Sequence, residues 1–565
     1  MPLPRSILAP GTLGDLDLRL VAGAWPDDIA GEVFISTSDV ATAGRHAFFG
    51  DGWMIRLSLQ PGSHGAPADA FAWRARLLDT PSRRLREACP DAFTTRAYGT
   101  SSPFGFSNAA NTAPLPWGDR LFATWDVGRP VELDPVTLEV LGEVGQKDSW
   151  GPDPFGHPVL PMVSSTAHPA VDPERGCLWT VRSNPMTGEL AVLRWDGAGT
   201  EMRRWPLEGV TLPQSMHTVG QTRDWLVLVD CAFRADPNEV LGLGERSVTT
   251  FVDEPVFLIR KDELEATPSG QPVTPRAVLR VGPETNHYYG VWDDADGIRL
   301  VLEHTIDTDL AMALRADDVD AWGRPVDPAL VGMYVHPMHQ GAVTEVLIDP
   351  DRGTVTVESR FEDPTRAWAV QLSALDWSVE AQAAPTVHHQ LFTGFRPDAI
   401  CQRALDLYAE RVDRDALPAE EIPAHLVTLT RGGLTPKGSH TFAPDDYATS
   451  PCFVPRNPGA TPGRSRYAPA EPGGTDGWIV VPVLHDDGFR VELFDAGDVS
   501  RGPIATLAAP GGATVPFLIH SAWMPRAVPS DPTIERLRFA DDLDEHAVAT
   551  LPDELADAVW RVATA

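Results

Sequence analysis

Short apolar runs closed by Asp-Pro or Asp-Gly turns are what most constrain the fold of this chain. Leu121–Trp125, Leu226–Asp230, Arg299–Glu303, Val343–Asp349 and Trp478–Pro482 are each four to eight residues of strand-forming composition. Turn signals follow or separate such runs at Asp134-Pro135, Asp172-Pro173, Asp349-Pro350 and Asp487-Gly488. Many short strands at regular turn spacing predict an all-β sandwich, barrel or propeller. No repeat at a fixed period is visible, so the pattern does not count blades. Helical signals are few. Asp398–Val412 has apolar residues at helical spacing and Asp553–Val562 follows Pro552 with early acids, so both are expected to be helices; Ser82–Cys89 is ambiguous. The region 378–425 reads as an insertion between strands. No break in composition divides the chain, so residues 1–565 are expected to form one domain.

Charge and cysteine usage narrow the function. Lys+Arg 46 against Asp+Glu 79 gives a net charge of −33, which repels nucleic acid and anionic membrane surfaces. The five cysteines are scattered and form no CxxC pair, so neither a disulfide framework nor a zinc knuckle is expected. The start of the chain lacks the apolar run of a signal peptide, and no stretch is long enough to span a bilayer, so a cytoplasmic location without a transmembrane segment is expected.

Four histidines stand in comparable settings at strand ends: His168 in Ser164–Pro169, His217 in Ser215–Thr218, His287 in Thr285–Tyr288 and His520 after Phe517-Leu518-Ile519. Neutral imidazoles suit Fe(II), zinc, copper or nickel, and no thiolate pair competes. The four are tens to hundreds of residues apart, so only the fold can converge them. His304, His336, His339, His388, His389 and His440 read as solvated loop histidines.

A series of motifs supplies an expectation for that fold. Phe48–Met54 (FFGDGWM), Asn111-Thr112, Leu121–Pro130, Thr166–Pro169, Met216-His217, His287–Asp293, Cys452–Arg456 and Val515–His520 occur in the order found in carotenoid cleavage oxygenases, which the chain resembles from about residue 15 to 530. The resemblance implies a seven-bladed β-propeller with a helical and loop cap over the metal face. It implies Fe(2+) held by His168, His217, His287 and His520, with no further catalytic residue. It implies cleavage of a conjugated C=C bond by dioxygen to carbonyl products, the substrate being an apolar, apocarotenoid-like alkene.

Lignostilbene or phenylpropene cleavage, isomerase or oxidase chemistry at the same iron, and a non-catalytic binding scaffold stay open as alternatives. Stilbene-cleaving members carry a lysine where this chain has Trp125. The family orients three of its histidines with glutamates; here the matching positions are Asp126, Glu362 and Ser450, which predicts weaker metal retention. Trp125, Tyr288 and Trp292 are candidates to line the substrate path. Asp293 is either a motif acid or a turn residue.

Overall fold

The aspartates of the turn signals act through their side chains. Asp134 Oδ1 accepts the backbone N–H groups of Val136 and Thr137, both at 2.8 Å, between the strands Val131–Leu133 and Val140–Glu143. Asp349 does the same for Asp351 and Arg352 at 3.0 and 2.9 Å. Such Asx turns reverse the chain cheaply, so each short strand pairs with its sequence neighbour. The computed structural model describes residues 3–9, 14–40, 46–93, 96–212, 215–231, 236, 254–282, 284–294, 296–306, 309–374, 386–456 and 474–564.

Five separate four-stranded antiparallel sheets result. Their first strands are Ala113–Trp117, Ala170–Asp172, Val219–Gln221, Thr285–Asp294 and Val370–Ala374. A ten-stranded sheet joins the chain's two ends, with Glu32–Asp39 paired antiparallel to both Asp51–Ser58 and Leu518–Met524. The first strands of neighbouring sheets lie side by side. His168 N donates to His217 O at 3.1 Å, Tyr288 Oη donates to Thr218 O at 2.5 Å, and Ser36 Oγ donates to Thr112 O at 2.5 Å.

Burial falls off outward along each sheet. Val219–Gln221 and Trp225–Val229 are wholly buried, whereas the fourth strands Thr354–Phe361 and Pro436–Thr441 are mostly exposed. The apolar core is accordingly a set of wedges between adjacent sheets. Phe122 packs towards Leu178, Val181 towards Leu228, Val256 towards Leu300, Val301 towards Val427, Leu426 towards Val481, and Phe34 back onto Leu121. That circuit closes on itself: the molecule is an all-β propeller.

Among the described residues, the excursions from the ring include two that lie between strands of one sheet. One, between the strands Gly297–His304 and Ala342–Asp349, carries a small sheet of Asp309–Ala313 and Tyr334–Val335. The other lies between Val387–Phe392 and His425–Thr430, so the insertion expected over 378–425 is narrower, because Val387–Phe392 is a paired strand of the fifth sheet. Residues 375–385 lie outside the described residues. The helix expected over 398–412 contracts to Gln402–Leu407 between short 3-10 turns at Pro397–Ala399 and Arg414–Ala416. Cys401, at its N-cap, supplies no side-chain cap bond, and the chain must turn twice to return to the sheet. Asp553–Thr564 is helical, as is Pro81–Ala88, whose Thr80 Oγ1 accepts Arg83 N at 3.3 Å. Among the described residues no helix is long and apolar enough to cross a membrane.

Candidate metal centre

The hydroxyls of Ser165 and Thr166 build the turn that aims His168. Ser165 Oγ donates to Gly128 O at 2.5 Å; Thr166 Oγ1 donates to His217 O at 2.6 Å and accepts His168 N at 3.1 Å. Two histidine-bearing strand ends are thereby held together. His287 is the third residue of Thr285–Asp294 and His520 the third of Leu518–Met524, with His520 N donating to Ser36 Oγ at 3.3 Å.

The structure brings His168, His217, His287 and His520 together: one nitrogen from each lies within 4.8 Å of all the others. His217 Nε2 and His287 Nε2 are 3.1 Å apart. His168 and His520 rings are 4.4 Å apart, nearly perpendicular at 75°. Burial holds the His168 and His287 imidazoles well below their usual range, aided by the neighbouring rings, and lowers His520 to about 3. The rings are therefore neutral donors. His168 Nε2 has no hydrogen-bond partner among the described residues. The side chain of His287, though deep in the protein, is still 14% exposed, so open space adjoins the rings. Four imidazoles converging beside a space fit a divalent cation with positions to spare.

Two carboxylates stand behind the rings. Asp126 Oδ1 is 2.8 Å from His217 Nδ1 and also accepts Ala167 N at 3.2 Å. The shorter acid thus reaches its histidine, because Ser165 N bonds Asp126 O at 2.6 Å and draws the two turns together. Glu303, which the sequence reading missed, lies 3.7 Å from His287 Nδ1. It is raised to about 8 by burial, a hydrogen bond to Ser373 opposing. Its signal was its pairing position: Glu303 stands opposite His287 in the hairpin register, visible only once the strands are aligned.

Glu362, expected in this role, is exposed and hydrogen-bonded to Arg360 at 2.6 Å, since it falls past the end of the outer strand Thr354–Phe361. Ser450 is fully buried with a left-handed backbone (φ 46°); its Oγ lies 3.4 Å from Thr449 Oγ1, and its carbonyl accepts Ser521 Oγ at 2.8 Å. It braces the strand of His520.

Of the candidate path residues, Trp125 stands beside Asp126, stacked on Phe106 (6.1 Å, 10°) and edge-on to Phe49. Tyr288 does not line a path: it is buried between the third and fourth sheets, its Oη donating to Thr218 O and Val227 O. Trp292 is likewise core, packed with Val301 and Phe392. Asp293 pairs with Ile298 at the hairpin's turn end, which favours its reading as a turn residue. His336, His388, His389 and His304 are buried rather than solvated, His304 bonding Thr344 Oγ1 at 2.7 Å; His339 is exposed and His440 half-buried.

The FFGDGWM motif proves to be a clamp. A Cβ at Gly50 would lie 2.0 Å from Asp39 O, and one at Gly52 would lie 2.4 Å from Ala110 O, so only glycine permits these approaches. Asp51 pairs with Arg86, and Asn111 Nδ2 donates to Phe48 O and Gly50 O at 2.9 and 2.8 Å.

Fold and site together define a β-propeller with a histidine-lined centre. The chain belongs to the carotenoid cleavage oxygenases: the model of the Retinal pigment epithelial membrane protein family matches residues 10–525, and the family acts oxidatively on conjugated double bonds. Apocarotenoid-15,15'-oxygenase of Synechocystis sp. is 27% identical over 538 residues, covering 89% of this chain and 92% of that protein. Carotenoid cleavage dioxygenase 7 of rice is 30% identical over 145 residues, the match spanning 23% of each chain. Among solved structures, Synechocystis apocarotenoid oxygenase (17% identity, TM-score 0.60, 92% of this chain and 98% of that one) and Pseudomonas brassicacearum lignostilbene dioxygenase (17%, 0.60, 93% and 100%) share the fold.

Proposed function

We propose that the protein is a mononuclear Fe(II) oxygenase that cleaves a conjugated C=C bond of an apolar, apocarotenoid-like alkene with dioxygen, giving two carbonyl products. The ten-stranded sheet is then two joined blades, making seven with the other five, and the two excursions cap the metal face. The observation that carries the reading is the convergence of His168, His217, His287 and His520 with space left beside them.

The 3.1 Å between His217 Nε2 and His287 Nε2 supports an open centre. Two nitrogens each ~2.1 Å from a cation lie about 3.0 Å apart at a right angle and about 3.4 Å apart in a tetrahedron. With His217 Nδ1–H donating to Asp126, its Nε2 presents a lone pair to the centre. Bound iron supplies the activation of dioxygen. The chain's residues supply the imidazoles, orient His217 through Asp126, keep Glu303 behind His287 at 3.7 Å, and wall the space with Trp125, Phe106 and Phe49. Added across the double bond, both oxygen atoms end in the two carbonyls, so no external reductant is needed.

The test is anaerobic purification with iron, then aerobic incubation with apocarotenoids, stilbenes and phenylpropenes under labelled dioxygen. Label in both carbonyl products of an apocarotenoid is expected; products without label, or isomers alone, would sink the reading. Asp126→Ala is expected to lower iron affinity roughly 10–100-fold, since it leaves the His217 N–H without its acceptor. Competition against a chromophoric chelator measures this, and unchanged affinity would remove Asp126 from the site.

A further inference from the structure

Among the buried histidines described outside the metal centre, His336 has both ring nitrogens without a hydrogen-bond partner among the described residues, and it is only 1% exposed. A buried imidazole in that state forgoes a donor bond and an acceptor bond, which folding alone does not favour. Burial lowers it to about 3, with the nearby Arg396 guanidinium acting in the same direction, so the ring is neutral and offers one N–H and one lone pair. The ring lies against Tyr334 (4.8 Å, 26°) and 6.3 Å from Tyr447. The hydroxyls of these tyrosines are 3.4 Å apart. Arg396 donates to Pro444 O and Asp446 O, and Asp398 is close enough to balance its charge. The niche is polar but electrically neutral.

A run of rings links this niche to the metal centre. Trp125, next to Asp126, meets Phe49 at 6.4 Å; Phe49 meets His46 at 4.6 Å; His46 meets Phe48 at 6.1 Å; Phe48 meets Tyr334 at 4.9 Å. His46 Nε2 contacts Ala311 O at 3.1 Å, tying the run to the small sheet that carries Tyr334. Phe48 and Phe49 are only half-buried, so the run keeps accessible surface at these two rings, between the buried Trp125, His46 and Tyr334. An apolar conjugated rod would follow these rings, and at their far end stand His336, with both ring nitrogens unpaired, and the Tyr334 and Tyr447 hydroxyls, 3.4 Å from each other.

We propose that His336 is a specificity-determining residue that hydrogen-bonds a neutral oxygen, a hydroxyl or carbonyl, at the end of the conjugated substrate remote from the metal. This rests on the oxygenase reading given above. A hydrocarbon terminus would leave both imidazole nitrogens unpaired, whereas a hydroxyl satisfies one as donor or acceptor.

The test is binding, which does not require turnover. All-trans-retinol and the same polyene without its hydroxyl are titrated against the iron-loaded full-length protein, following quenching of tryptophan fluorescence. Wild type, His336→Phe (which keeps a ring on Tyr334) and His336→Gln (which keeps a donor and an acceptor) are compared. The preference for the alcohol is a ratio internal to each variant, so a destabilised variant still reports it. Wild type is expected to prefer the alcohol roughly tenfold or more, H336F to lose that preference and H336Q to retain part of it. Equal binding of the two probes by wild type, or an unchanged preference in H336F, overturns the proposal. A preference without cleavage leaves His336 in this role and removes the oxygenase reading; cleavage without a preference does the reverse.

Discussion

A protein with His287→Ala is expected to emerge from desalting without iron and to turn over no alkene. Losing one of four nitrogen donors costs more than the roughly 10–100-fold in affinity that loss of an outer partner such as Asp126 costs. The remaining three rings cannot compensate, because among the described residues no carboxylate joins the cluster: Asp126 and Glu303 both face Nδ1 edges from behind. Elemental analysis and product assays on the same sample check this. Near-stoichiometric iron in the variant would show that His287 is not a ligand, and retained cleavage would show that the reaction proceeds elsewhere.

Acid is expected to destabilise the metal-free protein steeply between about pH 6.5 and pH 4, and buried histidines remote from the centre contribute to this as well as those within it. His336 and His388 are lowered to about 3 and His389 to about 4, in each case chiefly by burial. A histidine whose folded value lies below its unfolded one, near 6.5, takes up a proton only on unfolding. Above that value it contributes no pH dependence. As pH falls below it, each such group favours the unfolded chain by about 1.4 kcal/mol per pH unit until the folded value is reached. Three of them make a loss of roughly 4 kcal/mol per unit, offset by about 1.4 kcal/mol per unit down to about pH 4.5 by Glu303, which is raised to about 8 and so carries its proton in the folded state; the remainder is still a large fraction of an ordinary folding free energy. Denaturant midpoints at pH 7.5, 6 and 5 measure it. A flat profile over that range would mean these rings are hydrated in the folded state.

Residues whose role is local were legible in the sequence. The Asx turns at Asp134 and Asp349, the helix at Asp553–Thr564 and the glycines beside Asp51 all act on their immediate neighbours, so spacing and residue type reveal them. The four histidines were legible through motif order, although spacing alone carries no trace of convergence. Glu303 was not, because it sits sixteen positions beyond His287 and reaches it through strand pairing, which sequence distance does not encode. Glu362 failed for the converse reason: a plausible acid beside a proline turn belongs to the rim of its sheet. Tyr288 and Trp292 follow His287 in the chain but turn into opposite wedges: four positions apart they would share a face of a regular strand, and the register shift between Tyr289 and Trp292 separates them.

The pairing of Glu32–Asp39 with Leu518–Met524 also sets the order in which the centre can come into being. His520 arrives on a strand made near the end of synthesis and must find a partner made near its beginning. A nascent or truncated chain offers three imidazoles at most, and cation capture at full affinity waits on the meeting of the termini. On the proposed function, metal loading would report that the ring has shut, and an ion that prefers four nitrogens would pull the two ends of the polypeptide together.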